Sequence, residues 1–265
     1  MTLNIAHRGA RSIAPENTLA AADIARTIGA DLWETDVNVT RDGSLILFHD
    51  DHLKRTTNVR DIFPHDPGTY FLKDYDLDSI KMLDAVQSQS YSNGLGDYRG
   101  ERIPTLQEAL EYTKSVNWPV NLELKMQGPG LKCDFPLPQE TASMIIKMEM
   151  DPDLVIISSF NHQWLMDISL MLPGFKIQAL VEESPLGHHN TVKDMFKNTC
   201  KNEMDYYGKN SVINSFNIFN INNDNITIGE ITHLKSMEKK VNIFTVNEED
   251  RMVELINAGV DGIIT

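Results

Sequence analysis

Short runs of β-branched and aliphatic residues alternate along the chain with longer stretches whose apolar positions recur every three or four residues. Leu3–Ala6, Leu32–Val39, Val120–Leu124, Leu154–Ser158, Lys176–Val181, Ser211–Phe216, Val241–Val246 and Asp261–Ile264 read as parallel strands. Between them, Glu16–Ile28, Thr105–Val116, Gln139–Met150, His162–Met171, Ile228–Lys239 and Glu248–Ala258 carry the helical period. Strand followed by helix, repeated eight times in a chain of 265 residues, predicts an α/β fold, a distorted (β/α)8 TIM barrel built as one domain over residues 1–265. An open, doubly wound sheet is the alternative.

Two segments break the rhythm. In the stretch from Val37 to Phe48, alternating residues flank Asp42-Gly43, which suits a tight hairpin with those two as its loop. That register sets His49 opposite Asp36. The second break, about 51–103, holds Pro64, Pro67, clustered Tyr and the Ser/Asn/Gly-rich Ser88–Gly96, and is expected to form a small inserted subdomain. A milder irregularity, the Asn-rich Asn198–Asn225, reads as a long loop around the seventh strand.

Composition narrows the function. Hydrophobic residues make up 41% and charged residues 23%, the balance of a globular protein. Asp plus Glu number 38 against 24 Lys plus Arg, a net charge of −14 that argues against nucleic acid as the partner. No apolar run approaches the roughly 18 residues of a membrane span, so no stable membrane insertion is expected. The first residues lack the pattern of a secretory leader, which predicts a cytoplasmic location. Cys133 and Cys200 stand far apart without metal-ligand spacing and are expected to be unreactive thiols.

The candidate chemistry sits where strands end, which in barrels of this type is where active sites gather. His7 and Arg8 close the first strand. Glu34 and Asp36, two apart on a strand, share one face; with Trp33 and Val37 marking that strand as buried, the pair calls for a compensating cation. Glu123 and Lys125 repeat the spacing, with an internal ion pair as the simpler reading. His49 gains interest over His52 only through its alignment with Asp36. Phe244 fills the barrel mouth.

These residues resemble those of the glycerophosphodiester phosphodiesterases. The match runs in order through His7-Arg-Gly, Pro15-Glu-Asn-Thr18, Glu34-Thr-Asp36, Thr40-Arg-Asp-Gly43, His49-Asp50, Ile103-Pro-Thr-Leu106, Glu123-Leu-Lys125, Ser159-Phe160, Thr245-Val-Asn247 and the run from Gly259 to Ile264. The resemblance implies hydrolysis of a small-molecule glycerophosphodiester to sn-glycerol 3-phosphate and an alcohol. It implies that Glu34, Asp36 and Glu123 hold one divalent cation, Mg2+ or Ca2+, that His7 and His49 form the general acid–base pair, and that Arg8 and Lys125 bind phosphate. Three carboxylates suit a hard cation. The nucleophile is water or the substrate's own 2-hydroxyl, and the sequence leaves open which histidine is acid, which is base, and the oligomeric state. Phe244 stands where many relatives have Trp, an apolar wall of altered shape for the glycerol. Relatives usually continue past the residue matching Thr265 with Asp, Pro and a last helix, so an incomplete barrel seam is expected. Two alternatives keep the fold. A lysophospholipase D would need an apolar channel, for which Phe63–Tyr75 is the candidate, and a catalytically silent barrel would only bind a phosphodiester.

Overall fold

The computed structural model describes residues 1–65, 68–86, 97–126, 135–182 and 214–265. Both cysteines and the first part of the Asn-rich stretch lie outside them. Eight parallel strands form the barrel: β1 (Leu3–His7), β2 (Leu32–Val39), β4 (Val120–Leu124), β5 (Val155–Ser159), β6 (Lys176–Val181), β7 (Ile218–Asn222), β8 (Lys240–Phe244) and β9 (Gly262–Ile264). A ninth strand, β3 (Leu45–Leu47), folds back antiparallel on β2. β1 pairs with both β2 and β9, so the ring closes and the expected gap at the seam is absent.

Short helices cover the outside. α1 (Leu19–Thr27) follows β1, α4 (Leu106–Val116) precedes β4, α5 (Leu137–Lys147) follows it, and α6 (His162–Met171) joins β5 to β6. α7 (Ile228–Ser236) and α8 (Glu249–Asn257) flank β8. Their small or branched buried residues, such as Ala22 and Ala25 of α1 and Leu106, Ala109 and Leu110 of α4, join outward strand residues Val37, Leu122 and Leu124 in one apolar cluster. Each fully buried Leu or Ile in this layer is worth about 1.5–3 kcal/mol relative to exposure. Inside the ring, Ile5, Leu32, Ile156 and Ile264 make an apolar plug.

Three expectations change. α1 begins at Leu19 rather than Glu16, because Thr18 caps it, accepting from the Ala21 N–H at 3.2 Å, while Glu16 and Asn17 are left to other partners. The hairpin is one residue out of the expected register: Val37 lies opposite Leu47 and Val39 opposite Leu45. The loop therefore holds three residues, Arg41, Asp42 and Gly43, closed by Thr40 N–H donating to the Ser44 carbonyl at 3.0 Å. Gly43 takes φ +84°, the left-handed turn position that a three-residue hairpin demands and that glycine adopts without strain. Phe48, not His49, thus pairs with Asp36, its N–H donating to the Asp36 carbonyl at 2.9 Å.

The third change is the seventh strand, which is Ile218–Asn222 rather than Ser211–Phe216, with residues 211–213 outside the described chain. Asparagine is poor in strands on average. Here Asn220 points into the barrel, where Asn242 Nδ2 donates to its Oδ1 at 2.8 Å and its own Nδ2 donates to Gln178 Oε1 at 2.9 Å. The amide is fully paired, so its low propensity is overridden.

After β3 the chain leaves the barrel rhythm. Short helices α2 (Val59–Ile62) and α3 (Leu77–Lys81) and loops around them bury Phe48, Leu53, Val59, Tyr70, Leu72, Tyr75, Ile80, Leu83 and Ile103 in a second apolar cluster. Among the described residues no helix is long and apolar enough to cross a membrane.

Candidate active site

Strand register assembles the site. β1 sets His7 beside Glu34 of β2, and β2 sets Asp36 beside Glu123 of β4, so the three acids project from neighbouring strands to one end of the barrel. One carboxylate oxygen from each of Glu34, Asp36 and Glu123 lies within 4.8 Å of the others. Glu34 and Asp36 are only 3% and 1% exposed, and among the described residues the buried Glu34 Oε1 and Asp36 Oδ1 have no hydrogen-bond partner. Burial, then the charges of Asp36 and Glu123, pushes the Glu34 carboxyl well above the usual carboxylate range. Burial likewise raises Glu123, whereas Asp36 stays low because Lys125, Arg8 and His49 outweigh its burial. Converging acids with orphaned oxygens and no sulfur or imidazole among them fit a hard divalent cation.

The basic groups lie around them. Lys125 Nζ donates to Glu123 Oε1 at 2.7 Å and is 3.6 Å from Asp36 Oδ1. Burial opposes its charge, but those two acids hold the ammonium firmly protonated. Arg8 Nε lies 3.2 Å from Asp36 Oδ2, and its Nη1 donates to Glu16 Oε1 at 2.9 Å. Arg8 sits at φ +57°, a left-handed turn at the strand end that lets its N–H donate to Glu34 Oε2 at 3.0 Å. The next residue has to be glycine: a Cβ at Gly9 would stand 2.7 Å from the Ala21 backbone and side chain of α1.

His7 Nε2 is 4.0 Å from Glu34 Oε2, while Arg11 Nη1 donates to its Nδ1 at 3.2 Å. Because a guanidinium can only donate, that contact leaves the neutral ring's proton on Nε2. Burial and then the charges of Arg8 and Arg11 push the His7 pKa down to about 3. His49 has the opposite arrangement. Its Nδ1 lies 2.7 Å from Asp50 Oδ1, and since the carboxylate accepts, the proton sits on Nδ1 and Nε2 is bare. The strand has ended at Leu47, so a loop rather than hairpin alternation carries His49, close enough to Asp36 and Glu123 for a positive charge on its ring to act on both carboxyls. His52 belongs elsewhere: its ring stacks on Phe71 at 4.2 Å. Phe244 packs over the apolar plug and meets Phe160 edge-on at 6.1 Å.

The sequence reading missed the residues that hold these groups in place. Asn17, at φ +58°, donates from Nδ2 to Asp36 Oδ2 at 2.8 Å, and its Oδ1 accepts from Thr35 Oγ1 at 2.7 Å and the Asp36 N–H at 3.1 Å. Glu16, Asp50 and Arg55 form a chain of ion pairs beside them. Glu16 and Asn17 belong to a recognisable motif but were read into a helix, and no local pattern reveals Arg55.

A closed (β/α)8 barrel with buried acids, two flanking cations and two histidines at one strand end defines a barrel enzyme equipped to act on an anion. The family model described as the glycerophosphoryl diester phosphodiesterase family matches residues 7–265, and the chain belongs to that family, whose members are phosphoric diester hydrolases. A glycerophosphodiester phosphodiesterase of Caldanaerobacter subterraneus subsp. tengcongensis is 36% identical over 266 aligned residues, covering 100% of this chain and 93% of the relative. A glycerophosphodiester phosphodiesterase of Bacillus altitudinis is 29% identical, with 100% and 94% covered. Among solved structures, an Oleispira antarctica phosphodiesterase in complex with the product sn-glycerol-3-phosphate superposes with a TM-score of 0.72 at 27% identity, covering 100% of this chain and 92% of that one.

Proposed function

We propose that the chain hydrolyses glycerophosphodiesters to sn-glycerol 3-phosphate and an alcohol, with a divalent cation, Mg2+ or Ca2+, held by Glu34, Asp36 and Glu123. The observation that carries this reading is two buried acids and a half-buried one converging on one point, two of their oxygens without a hydrogen bond among the described residues, with Arg8 and Lys125 alongside. Three carboxylates against those two cations leave one net negative charge, so an anionic substrate needs a further positive charge nearby. A bound cation supplies it and adds Lewis-acid polarisation of the phosphoryl group.

Arg8 and Lys125 orient the phosphodiester through its oxygens and stabilise the charge that grows on them. His49, with Nε2 bare and Nδ1–H held by Asp50, takes the proton of the attacking hydroxyl, whether from water or from the glycerol. An anion bound beside His7 raises a pKa that burial otherwise keeps low, so the ring takes up a second proton, gives one to the leaving alkoxide and returns to the neutral form. Phe244, with Phe160, walls the glycerol side. The segment 51–103 is a small subdomain inserted in a single barrel domain, and its attachment directly after His49–Asp50 suits a role in choosing the alcohol. Tyr70, Leu72 and Tyr75 are buried in that segment's own core, which favours a small soluble diester over a lipid chain.

Glycerophosphocholine, glycerophosphoethanolamine, glycerophosphoinositol and bis-glycerol phosphate, assayed with Mg2+, Ca2+ and EDTA, test the proposal. Release of sn-glycerol 3-phosphate from at least one diester, abolished by EDTA, is expected. Full turnover in EDTA overturns the cation's role, and absence of that product from all four overturns the substrate class.

A further inference from the structure

Arg55, a basic residue that the proposed chemistry leaves unused, joins the two halves of the site. Its Nε and Nη2 donate to Asp50 Oδ2 and Oδ1 at 2.6 and 2.8 Å, and its Nη1 and Nη2 donate to Glu16 Oε2 and Oε1 at 2.9 and 2.6 Å. Nη2 is shared between both acids. The Asp50 oxygen it touches is the one facing His49 Nδ1, and the Glu16 oxygen it touches is the one accepting from Arg8. One nitrogen thus bridges the two carboxylate oxygens that orient an imidazole and a guanidinium in the site.

From this geometry we infer that Arg55 is a positioning residue for the hydrolysis: its double fork fixes Asp50 and Glu16 so that His49 and Arg8 hold their working orientations. The inference rests on the reading of His49 as an acid–base group and Arg8 as a phosphate ligand. Stability does not explain the arrangement, since the Arg55 side chain is 48% exposed and surface ion pairs contribute little. Orientation does. Each acid has two oxygens and one further basic partner, so the planar fork is what removes its rotational freedom. Lysine, a single ammonium on a flexible stem, cannot grip two carboxylates bidentately. The link also joins the stretch after β3 to the loop before α1, elements that sequence separates by 39 positions.

The test uses the full chain with Arg55→Ala, Arg55→Lys, Asp50→Asn and the double variant Asp50→Asn/Arg55→Ala. Arg102→Ala serves as control, because it breaks another ion pair of the same segment, with Asp84 at 2.8 Å, away from the site. Arg55→Ala is expected to lower kcat by about 10–100-fold, the scale for partners that orient functional groups from behind, and to raise KM as Arg8 loosens. Arg55→Lys should recover little of either, whereas guanidinium ion added to Arg55→Ala should restore part of kcat. The double variant should lose no more kcat than the worse single one, because both act through the same carboxylate. Arg102→Ala should leave kcat and KM unchanged. Wild-type kcat and KM in both folded Arg55 variants, or losses that add fully to those of Asp50→Asn, overturn the inference. If Arg55→Ala fails to fold, kcat and KM of Arg55→Lys decide the matter. Wild-type kcat in His49→Ala would instead refute the acid–base reading, and the KM of the Arg55 variants would still test the arm through Glu16 to Arg8.

Discussion

Two arcs of the barrel interior carry polar groups and treat them in opposite ways. Along β6, β7 and β8, Gln178, Asn220 and Asn242 are neutral amides, with Asn242 donating to Asn220 at 2.8 Å and Asn220 to Gln178 at 2.9 Å. Along β2 and β4, one oxygen from each of Glu34, Asp36 and Glu123 lies within 4.8 Å of the others, yet among the described residues Glu34 Oε1 and Asp36 Oδ1 accept no hydrogen bond, and neither amide atom of neighbouring Asn121 makes one. Amides both donate and accept, so a row of them can close on itself. Ionised carboxylates only accept, and a cluster of them stays electrostatically open until something positive arrives. The first arc is paired by folding; the second is where the proposed cation would bind.

The largest effect that would break this contrast is in the histidines beside the open arc. His7→Ala and His49→Ala should each lower kcat by about 10²–10⁴-fold, the scale for positioned acid–base groups, with circular dichroism and thermal midpoint near those of the parent. His52→Ala should change kcat little, because its Nδ1–H donates to the Thr69 carbonyl at 2.9 Å and its ring stacks on Phe71. Steady-state rates on a glycerophosphodiester measure all three. A His52 variant as inactive as the His49 variant would move the chemistry away from the acid cluster.

The closed arc should respond through stability instead. Asn220→Leu keeps volume but strands Gln178 Oε1 and Asn242 Nδ2 in the interior, which costs about 1–3 kcal/mol for groups left unsatisfied. Urea unfolding should show that loss while kcat stays at the parent value. Asn121→Leu, whose side chain makes no hydrogen bond among the described residues, should cost clearly less. Equal losses at the two positions would mean that amide pairing is not what distinguishes the arcs.

The open arc was the more legible of the two from sequence. Glu34-Thr-Asp36 and Glu123-Leu-Lys125 signal themselves because strand alternation is local: residues two apart share a face whatever the rest of the chain does. The amide arc was hidden, since Asn220 looks like a loop residue until Gln178 and Asn242, 42 and 22 positions away, supply its partners. The hairpin register failed for a similar reason. Asp42-Gly43 suits a two-residue or a three-residue loop, and what decides is the backbone of Gly43 together with Thr40 and Ser44. Arg55, Glu16 and Asp50 were illegible as a unit because their link is side chain to side chain across 39 positions.

The smallest expected effect sharpens the contrast most, because it separates electrostatics from packing. Burial and the neighbouring acids raise the folded-state pKa of Glu34 above its unfolded value. Such a group contributes stability that is fully present below the unfolded pKa and is lost as pH rises through the folded one. Glu34→Gln removes the titration while keeping the shape, so in EDTA the variant should have the higher Tm above the unfolded carboxyl range, by a margin that grows as pH rises. Added Mg2+ or Ca2+ should reverse the order, since a ligand that binds only the folded state stabilises the parent by RT ln(1 + [L]/Kd) and the variant far less. Asn220→Leu, compared with the same parent under the same conditions, should show a Tm deficit that neither pH nor cation alters. Coincident melting of parent and Glu34→Gln in EDTA at pH 5 and pH 8 would mean that Arg8 and Lys125 already neutralise the acids, and the difference between the arcs would then be one of hydrogen bonding alone.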